Sequence, residues 1–128
     1  MTKSSDVILD RMMALHPKVI DLTLDRVWRL LDAVGNPQDH LPPVIHIAGT
    51  NGKGSTQAMI RAGLEADGAT VHAYTSPHLA RFHERIRLAG TLISEAALSD
   101  VLDRCYLANG TDAITYFEIT TVAGLVAF

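Results

Sequence analysis

Hydrophobic residues recur at helical spacing in several stretches of the chain. After Ser5, apolar positions three and four residues apart predict a helix that ends at His16, because the proline that follows disfavours helical backbone. A second helix is predicted to begin at Thr23 and to end at the glycine and proline behind its apolar stripe. Ser94 is predicted to cap a further helix, and a last helix is predicted to start near Tyr116 to Glu118 and to run to the chain end.

Other apolar residues form short continuous runs, which are typical of buried strands. The run Val44–Ala48 predicts a first strand, followed by a glycine-rich turn over residues 49–54 and a helix over residues 55–67. A second strand is predicted over residues 69–74 and a small hairpin over residues 85–93. Strand, glycine loop, helix and strand in this order predict a right-handed βαβ crossover, the opening of a parallel α/β sheet.

Composition narrows the possible classes of function. The 128 residues fit one globular domain, and the net charge of −3 argues against binding to nucleic acid or to an anionic membrane surface. A single cysteine, Cys105, excludes an internal disulfide and a multi-cysteine zinc site, and its place on an apolar helical stripe predicts a buried, inert thiol. The chain stops within the apolar run Ile119–Phe128, from which we expect it to be the front part of a longer protein.

The glycine-rich turn carries the strongest chemical signal. Glycines let the backbone approach a phosphate closely, and the N-terminus of the following helix attracts anions. Lys53 adds a full positive charge. The loop is a variant of the standard P-loop, because Gly54 stands between Lys53 and the hydroxyl of Ser55. The alternative is an ordinary turn with a solvated lysine, but a predicted strand before the loop and a helix after it favour nucleotide binding.

The loop and three further segments resemble folylpolyglutamate synthase/dihydrofolate synthase, a family of the Mur ligase superfamily. The resemblance rests on four segments in the family's order, Leu15–Leu22, Gly49–Ser55, Tyr74–Leu79 with Glu84–Arg87, and Thr115–Glu118. It implies a parallel-sheet P-loop domain of the Mur ligase-like ATPase type, with residues 1–128 as its N-terminal part and a C-terminal domain outside this chain. It also implies an ATP-dependent ligase that adds L-glutamate to dihydropteroate or to reduced folates such as tetrahydrofolate.

The resemblance assigns roles to particular residues. It implies Lys53 as the catalytic residue, Ser76 as a magnesium ligand, and ATP and Mg²⁺ as cofactors. The ATP-binding residues it implies, besides Lys53, are Gly49, Thr50, Asn51, Gly52, Gly54, Ser55 and Thr56. The substrate-binding residues it implies are Leu15, His16, Asp21, His78, Thr115, Tyr116, Phe117 and Glu118.

Each of these residues also has a plainer interpretation. Ser76 precedes a proline, as in many turns. Tyr116 and Phe117 fit an ordinary core pair, and Glu118 fits the favourable position of an acid in the first turn of a helix. Arg85 and Arg87 alternate along a predicted strand, and beside Glu84 they are by default a solvated, charge-balanced face.

Two other functions compete with the folate ligase. One is a Mur-type ligase that acts on a cell-wall precursor, against which the Ser76-Pro77-His78 segment and the early substrate-site residues speak. The other is a nucleotide-binding module without ligase chemistry, and we expect these 128 residues to be inactive by themselves. For the whole protein we expect a cytoplasmic monomer that binds neither nucleic acid nor a membrane.

Overall fold

The computed structural model describes residues 4–16, 23–78 and 80–128, which fall into two compact units. Residues 1–41 and 94–128 belong to the first unit, and residues 42–93 form the second. The described residues form five α-helices: α1 (Ser4–Met13), α2 (Asp25–Ala33), α3 (Lys53–Ala66), α4 (Glu95–Asn109) and α5 (Tyr116–Ala127). None of the helices in these ranges has both the length and the apolar composition needed to cross a membrane.

The first unit is a packed group of helices, α1, α2, α4 and α5. Its core forms where their apolar stripes meet, and Met12, Leu30, Leu102, Ile119 and Val122 are fully buried there. Each such side chain contributes roughly 1.5–3 kcal/mol by leaving water. Helix α1 packs against α4, so residues about 90 positions apart in sequence share one core.

Local signals set the helix boundaries in this unit. The Ser94 hydroxyl accepts a hydrogen bond from the Ala97 N–H at 3.1 Å, which confirms the predicted cap of α4. The predicted start of α5 at Tyr116 is also confirmed, whereas α2 begins two residues after the predicted Thr23. Cys105 is buried as predicted, and burial raises the pKa of its thiol to about 12.

The second unit contains α3 and a three-stranded antiparallel sheet in the order β1 (Ala73–Tyr74), β2 (Ile86–Leu88), β3 (Thr91–Leu92). Arg87 of β2 lies opposite Ala73 on one side and Leu92 on the other. Ala89 and Gly90 join β2 to β3, both with positive φ (50° and 87°), as a two-residue type I′ turn requires. The predicted hairpin over residues 85–93 is therefore confirmed.

The predicted parallel sheet is absent from the described residues. Residues 44–48 form no strand, and Val44 and Ile45 remain 71% and 59% exposed. Only Ala73–Tyr74 of the predicted second strand is extended and paired, and its partner β2 runs antiparallel to it. The described residues therefore do not confirm the parallel sheet: a parallel strand needs a neighbour to take up its backbone hydrogen bonds, and these residues supply none for residues 44–48.

Candidate functional site

The glycine loop leads directly into α3, whose N-terminus is open to an anion. Gly52 is the N-cap residue and has a left-handed backbone conformation (φ 74°), which glycine adopts without steric cost. Glycine has no side chain that could accept hydrogen bonds from the first backbone N–H groups of the helix. The helix begins at Lys53, two residues before the predicted Ser55. The regular helical bonds start with the Thr56 N–H, which donates to the Gly52 carbonyl at 2.9 Å.

The Lys53 ammonium folds back over this loop. Its Nζ donates a hydrogen bond to the carbonyl oxygen of Gly49, and the side chain is exposed. The predicted ATP-binding residues Thr50, Asn51 and Ser55 are exposed on the same loop and first helical turn. Backbone N–H groups and a mobile positive charge therefore occur together, which is the arrangement that binds a phosphate chain.

A cleft of about 570 Å³ within the second unit begins at this helix N-terminus. The residues that line it include Lys53, Arg61, Ser76, Glu84, Arg85 and Arg87. Four of these six side chains are cationic and one is anionic, so the cleft favours a polyanionic ligand. The predicted magnesium ligand Ser76 and the predicted catalytic Lys53 thus line one cavity, although 23 positions separate them in sequence.

Several residues of the cleft were not predicted as functional. Arg85 and Arg87 line the cleft, where the sequence favoured a solvated face, and Arg61 reaches it from the second half of α3. Arg61 is held by Glu65, whose Oε1 accepts from its Nη1 at 2.7 Å, and Arg87 donates to the Gly90 carbonyl at 2.9 Å. The alternation of Arg85 and Arg87 was the available signal, whereas nothing local placed Arg61 beside them.

His78, a predicted substrate residue, is held in a small cluster beside the cleft. Its Nδ1 accepts a hydrogen bond from Arg85 Nε at 2.9 Å, and its ring meets Phe82 edge-on at a centroid distance of 5.8 Å. Burial, followed by the charge of Arg85, lowers the pKa of His78, against an opposing effect of Glu84. The imidazole is therefore neutral near pH 7, with its proton on Nε2.

The other predicted substrate residues lie in the first unit. The Ile114 N–H donates to the Leu15 carbonyl at 3.0 Å, which joins the segment after α1 to the start of α5. His16 is exposed, and Phe117 is 61% exposed, which does not fit the plainer interpretation of a core residue. Asp21 lies outside the described residues.

Glu118 is engaged within the protein. Its Oε1 accepts hydrogen bonds from the Thr115 N–H and from Arg26 Nε, both at 2.9 Å, and its own N–H donates to Thr115 Oγ1 at 3.1 Å. Burial raises the pKa of this carboxyl, but the hydrogen bonds from Arg26 and Thr115 together outweigh it, and the net shift is downward. The carboxylate is therefore charged at neutral pH.

The residues present fit MgATP only in part. The helix N-terminus, Lys53 and the arginines suit the phosphates, and the Ser76 hydroxyl in the same cleft offers one neutral oxygen to a hard cation. Among residues 4–16, 23–78 and 80–128, no three His, Cys, Asp or Glu side chains are grouped so that they could hold a metal ion. A magnesium ion here would depend on phosphate oxygens and water for most of its ligands.

Sequence and structure comparisons find relatives of the same kind, folylpolyglutamate and dihydrofolate synthases, although no family model matches the chain. Over 114 residues, 89% of this chain, it is 40% identical to a dihydrofolate synthase/folylpolyglutamate synthase of Escherichia coli. The structure superposes on that of Escherichia coli FolC in complex with DHPP and ADP with a TM-score of 0.86 and 35% identity, over 99% of this chain and 31% of the other. The bifunctional enzyme of Yersinia pestis, complexed with AMPPNP and Mn ion, gives a TM-score of 0.79 at 35% identity, over 98% and 31% of the two chains. The chain spans 27% of the length of the curated Escherichia coli relative.

Proposed function

We propose that this chain supplies the ATP-binding part of a dihydrofolate synthase/folylpolyglutamate synthase. The proposal is based on its homology to such enzymes along most of its length. The enzyme would be a cytoplasmic ligase that adds L-glutamate to dihydropteroate or to reduced folates. The observation that carries this proposal is the open N-terminus of α3, with Gly52 as its N-cap and Lys53 in a cationic cleft. The relatives' complexes with ADP and with AMPPNP support the same use of the cleft.

The proposed chemistry is the one that the resemblance to this ligase family implies. A substrate carboxylate oxygen attacks the γ-phosphorus of ATP and ADP leaves, which gives an acyl phosphate. The amine of glutamate then attacks the acyl carbon, phosphate leaves, and the nitrogen loses a proton to form the amide. Lys53 and the backbone N–H groups behind Gly52 would stabilise the charge on the phosphates, and the Ser76 hydroxyl would serve as a ligand of the metal. Bound Mg²⁺ would neutralise phosphate charge during the transfer.

We also propose that residues 44–48 form a strand of a parallel sheet in the whole enzyme, as in a Mur ligase-like ATPase domain. Val44, Ile45 and Met59 of α3 are 71%, 59% and 73% exposed within this chain. Apolar groups of this size close to the phosphate loop favour burial against further strands. Slow amide exchange of Ile45 and Ile47 in the full-length gene product would support this arrangement, and fast exchange would contradict it.

The function is tested by ligation with the full-length gene product. Incubation with MgATP, L-glutamate and dihydropteroate is expected to yield a product that is heavier by one glutamyl residue, together with ADP and phosphate. The same assay with tetrahydrofolate decides whether both activities are present. ATP hydrolysis without a glutamylated product from either substrate would contradict the ligase proposal.

Replacement of Ser76 tests the metal site within that assay. Ser76→Ala is expected to raise the Mg²⁺ concentration for half-maximal rate by about tenfold or more, the scale on which a metal site responds to the loss of a partner. Ser55→Ala is the comparison variant, because Ser55 is the competing serine of the predicted ATP site, an exposed hydroxyl on the first turn of α3. If Ser55→Ala shifts the magnesium titration and Ser76→Ala does not, the metal ligand has been assigned to the wrong serine.

A further inference from the structure

Two arginines of α2 reach the segment that joins α4 to α5. Arg26 and Arg29 lie three positions apart and so project from one side of the helix. Arg26 Nε donates to Glu118 Oε1 at 2.9 Å, and the two side chains are only 16% and 12% exposed. Arg29 donates to Asp112 Oδ2 and to Asn109 Oδ1, each at 2.9 Å. The segment is therefore held to α2 at both of its ends.

The Arg29 end is fixed through a buried amide. Asn109 is 2% exposed, accepts from Arg29, and donates from Nδ2 to the Asp112 carbonyl at 3.0 Å. Because a buried amide group costs free energy when it is left unpaired, this arrangement favours one conformation of residues 109–112.

The Arg26 end is fixed through the capping box of α5. One carboxylate oxygen, Glu118 Oε1, accepts from both Arg26 and the Thr115 N–H, so the ion pair and the helix cap share an atom. A charge-assisted hydrogen bond between partly buried groups is stronger than one between neutral groups. Removal of Arg26 would therefore weaken the cap, and the first turn of α5 would lose its fixed geometry.

Phe117 lies in that first turn and presents its ring outward, with 61% of the residue exposed. An exposed aromatic side chain on a backbone held from both sides suits stacking against a flat heterocycle, because little ordering is needed when the ligand binds. The carboxylate of Glu118 sits behind this turn and is already occupied by protein donors.

We propose that Arg26 is a positioning residue: through Glu118 it fixes the first turn of α5 so that Phe117 is presented to the pterin ring. Arg29 supports the same segment through Asn109 and Asp112. Glu118, which the family resemblance assigns to substrate binding, then acts by orienting Phe117 rather than by contact with the pterin. The identity of the ligand rests on the proposed function, whereas the positioning itself does not.

The experiment compares Arg26→Met with Arg26→Lys and with a matched control, Arg104→Met. Arg104 belongs to the same unit and donates one 2.9 Å hydrogen bond to the Val34 carbonyl, away from the segment. Amide hydrogen exchange of the 128-residue chain is measured at Glu118, whose N–H donates to Thr115, and at Leu102 in α4. Dihydropteroate and AMPPNP affinities are measured by titration calorimetry on the full-length gene product with the same substitutions.

For Arg26→Met, we expect exchange at Glu118 to accelerate at least about tenfold more than at Leu102, the factor that corresponds to losing one charge-assisted bond. Dihydropteroate affinity should fall by a similar factor while AMPPNP affinity stays within about twofold, and Arg26→Lys should restore part of both losses. Arg104→Met should accelerate exchange at both amides alike. Equal acceleration at both amides in Arg26→Met would overturn the inference, as would unchanged dihydropteroate binding.

A full-length parent protein that binds no dihydropteroate would count against the proposed function only. The hydrogen exchange comparison then decides the positioning role by itself, because it needs no ligand.

Discussion

Lys53→Ala is expected to reduce the affinity of the chain for AMPPNP with Mg²⁺ by about a hundredfold or more. The ammonium lies over the glycine loop, where its Nζ donates to the Gly49 carbonyl, and it can turn from that carbonyl to phosphate oxygens. Charge-assisted hydrogen bonds contribute about 1.5–3 kcal/mol each, and about 1.4 kcal/mol corresponds to a factor of ten in affinity. Loss of contacts to two phosphates therefore accounts for the expected change. Titration calorimetry of parent and variant measures it directly.

Arg61→Ala separates this specific role from general charge attraction. Arg61 lines the same cleft and belongs to the same helix, eight positions after Lys53, but its guanidinium is engaged by Glu65. At about 1.5 Å of rise per residue it lies roughly 12 Å further along α3. We expect a loss of affinity within about threefold for Arg61→Ala. Equal losses in the two variants would mean that the cleft attracts anions only through its net charge, and the phosphate loop would lose its assigned role.

Helices were predictable from the sequence because their signals are local. The caps of α4 at Ser94 and of α5 at Thr115 each depend on residues within three positions of one another. The spacing of apolar residues, three and four apart, then identifies the face that packs into the core. The helices of the first unit could therefore be located to within about two residues at most ends, as the ±1–2 residue fraying of helix ends allows.

The sheet was not predictable in the same way. An apolar run such as residues 44–48 describes a strand only when other strands are present to pair with it, and pairing depends on residues far apart in sequence. The hairpin over residues 85–93 could be predicted, because its two strands are joined by the two residues Ala89 and Gly90. The local sequence pattern therefore could not predict strand pairing between residues far apart in the chain.

The same difference between local and long-range contacts applies to the candidate site. The glycine loop and Lys53 are contiguous, so their chemistry was visible in the sequence before any fold was known. The contact between Arg26 and Glu118 joins residues 92 positions apart, and the sequence offered for Glu118 only a helix-dipole or substrate role. Nothing in the spacing of these two residues could reveal an ion pair that two packed helices create.

Leu102→Ala is expected to lower the free energy of unfolding by about 2–5 kcal/mol, the range for a truncated leucine in a packed core. Leu102 is fully buried in α4, in the core that α1 and α5 complete. Leu107→Ala is the matched control, because the same substitution on the same helix removes a side chain that is 69% exposed. It should change the free energy of unfolding by no more than about 0.5 kcal/mol. Urea denaturation, followed by circular dichroism, measures both values.

A loss of several kcal/mol is a large part of the stability of a chain of this size, so Leu102→Met replaces Leu102→Ala in the comparison if the alanine variant does not fold. Methionine keeps most of the side-chain volume, and its expected cost is below about 1.5 kcal/mol. The loss of free energy of unfolding should therefore be largest for Leu102→Ala, smaller for Leu102→Met and smallest for Leu107→Ala. If the two alanine variants unfolded at the same urea concentration, Leu102 would not lie in a packed core. That result would contradict the helix packing that places Arg26 beside Glu118.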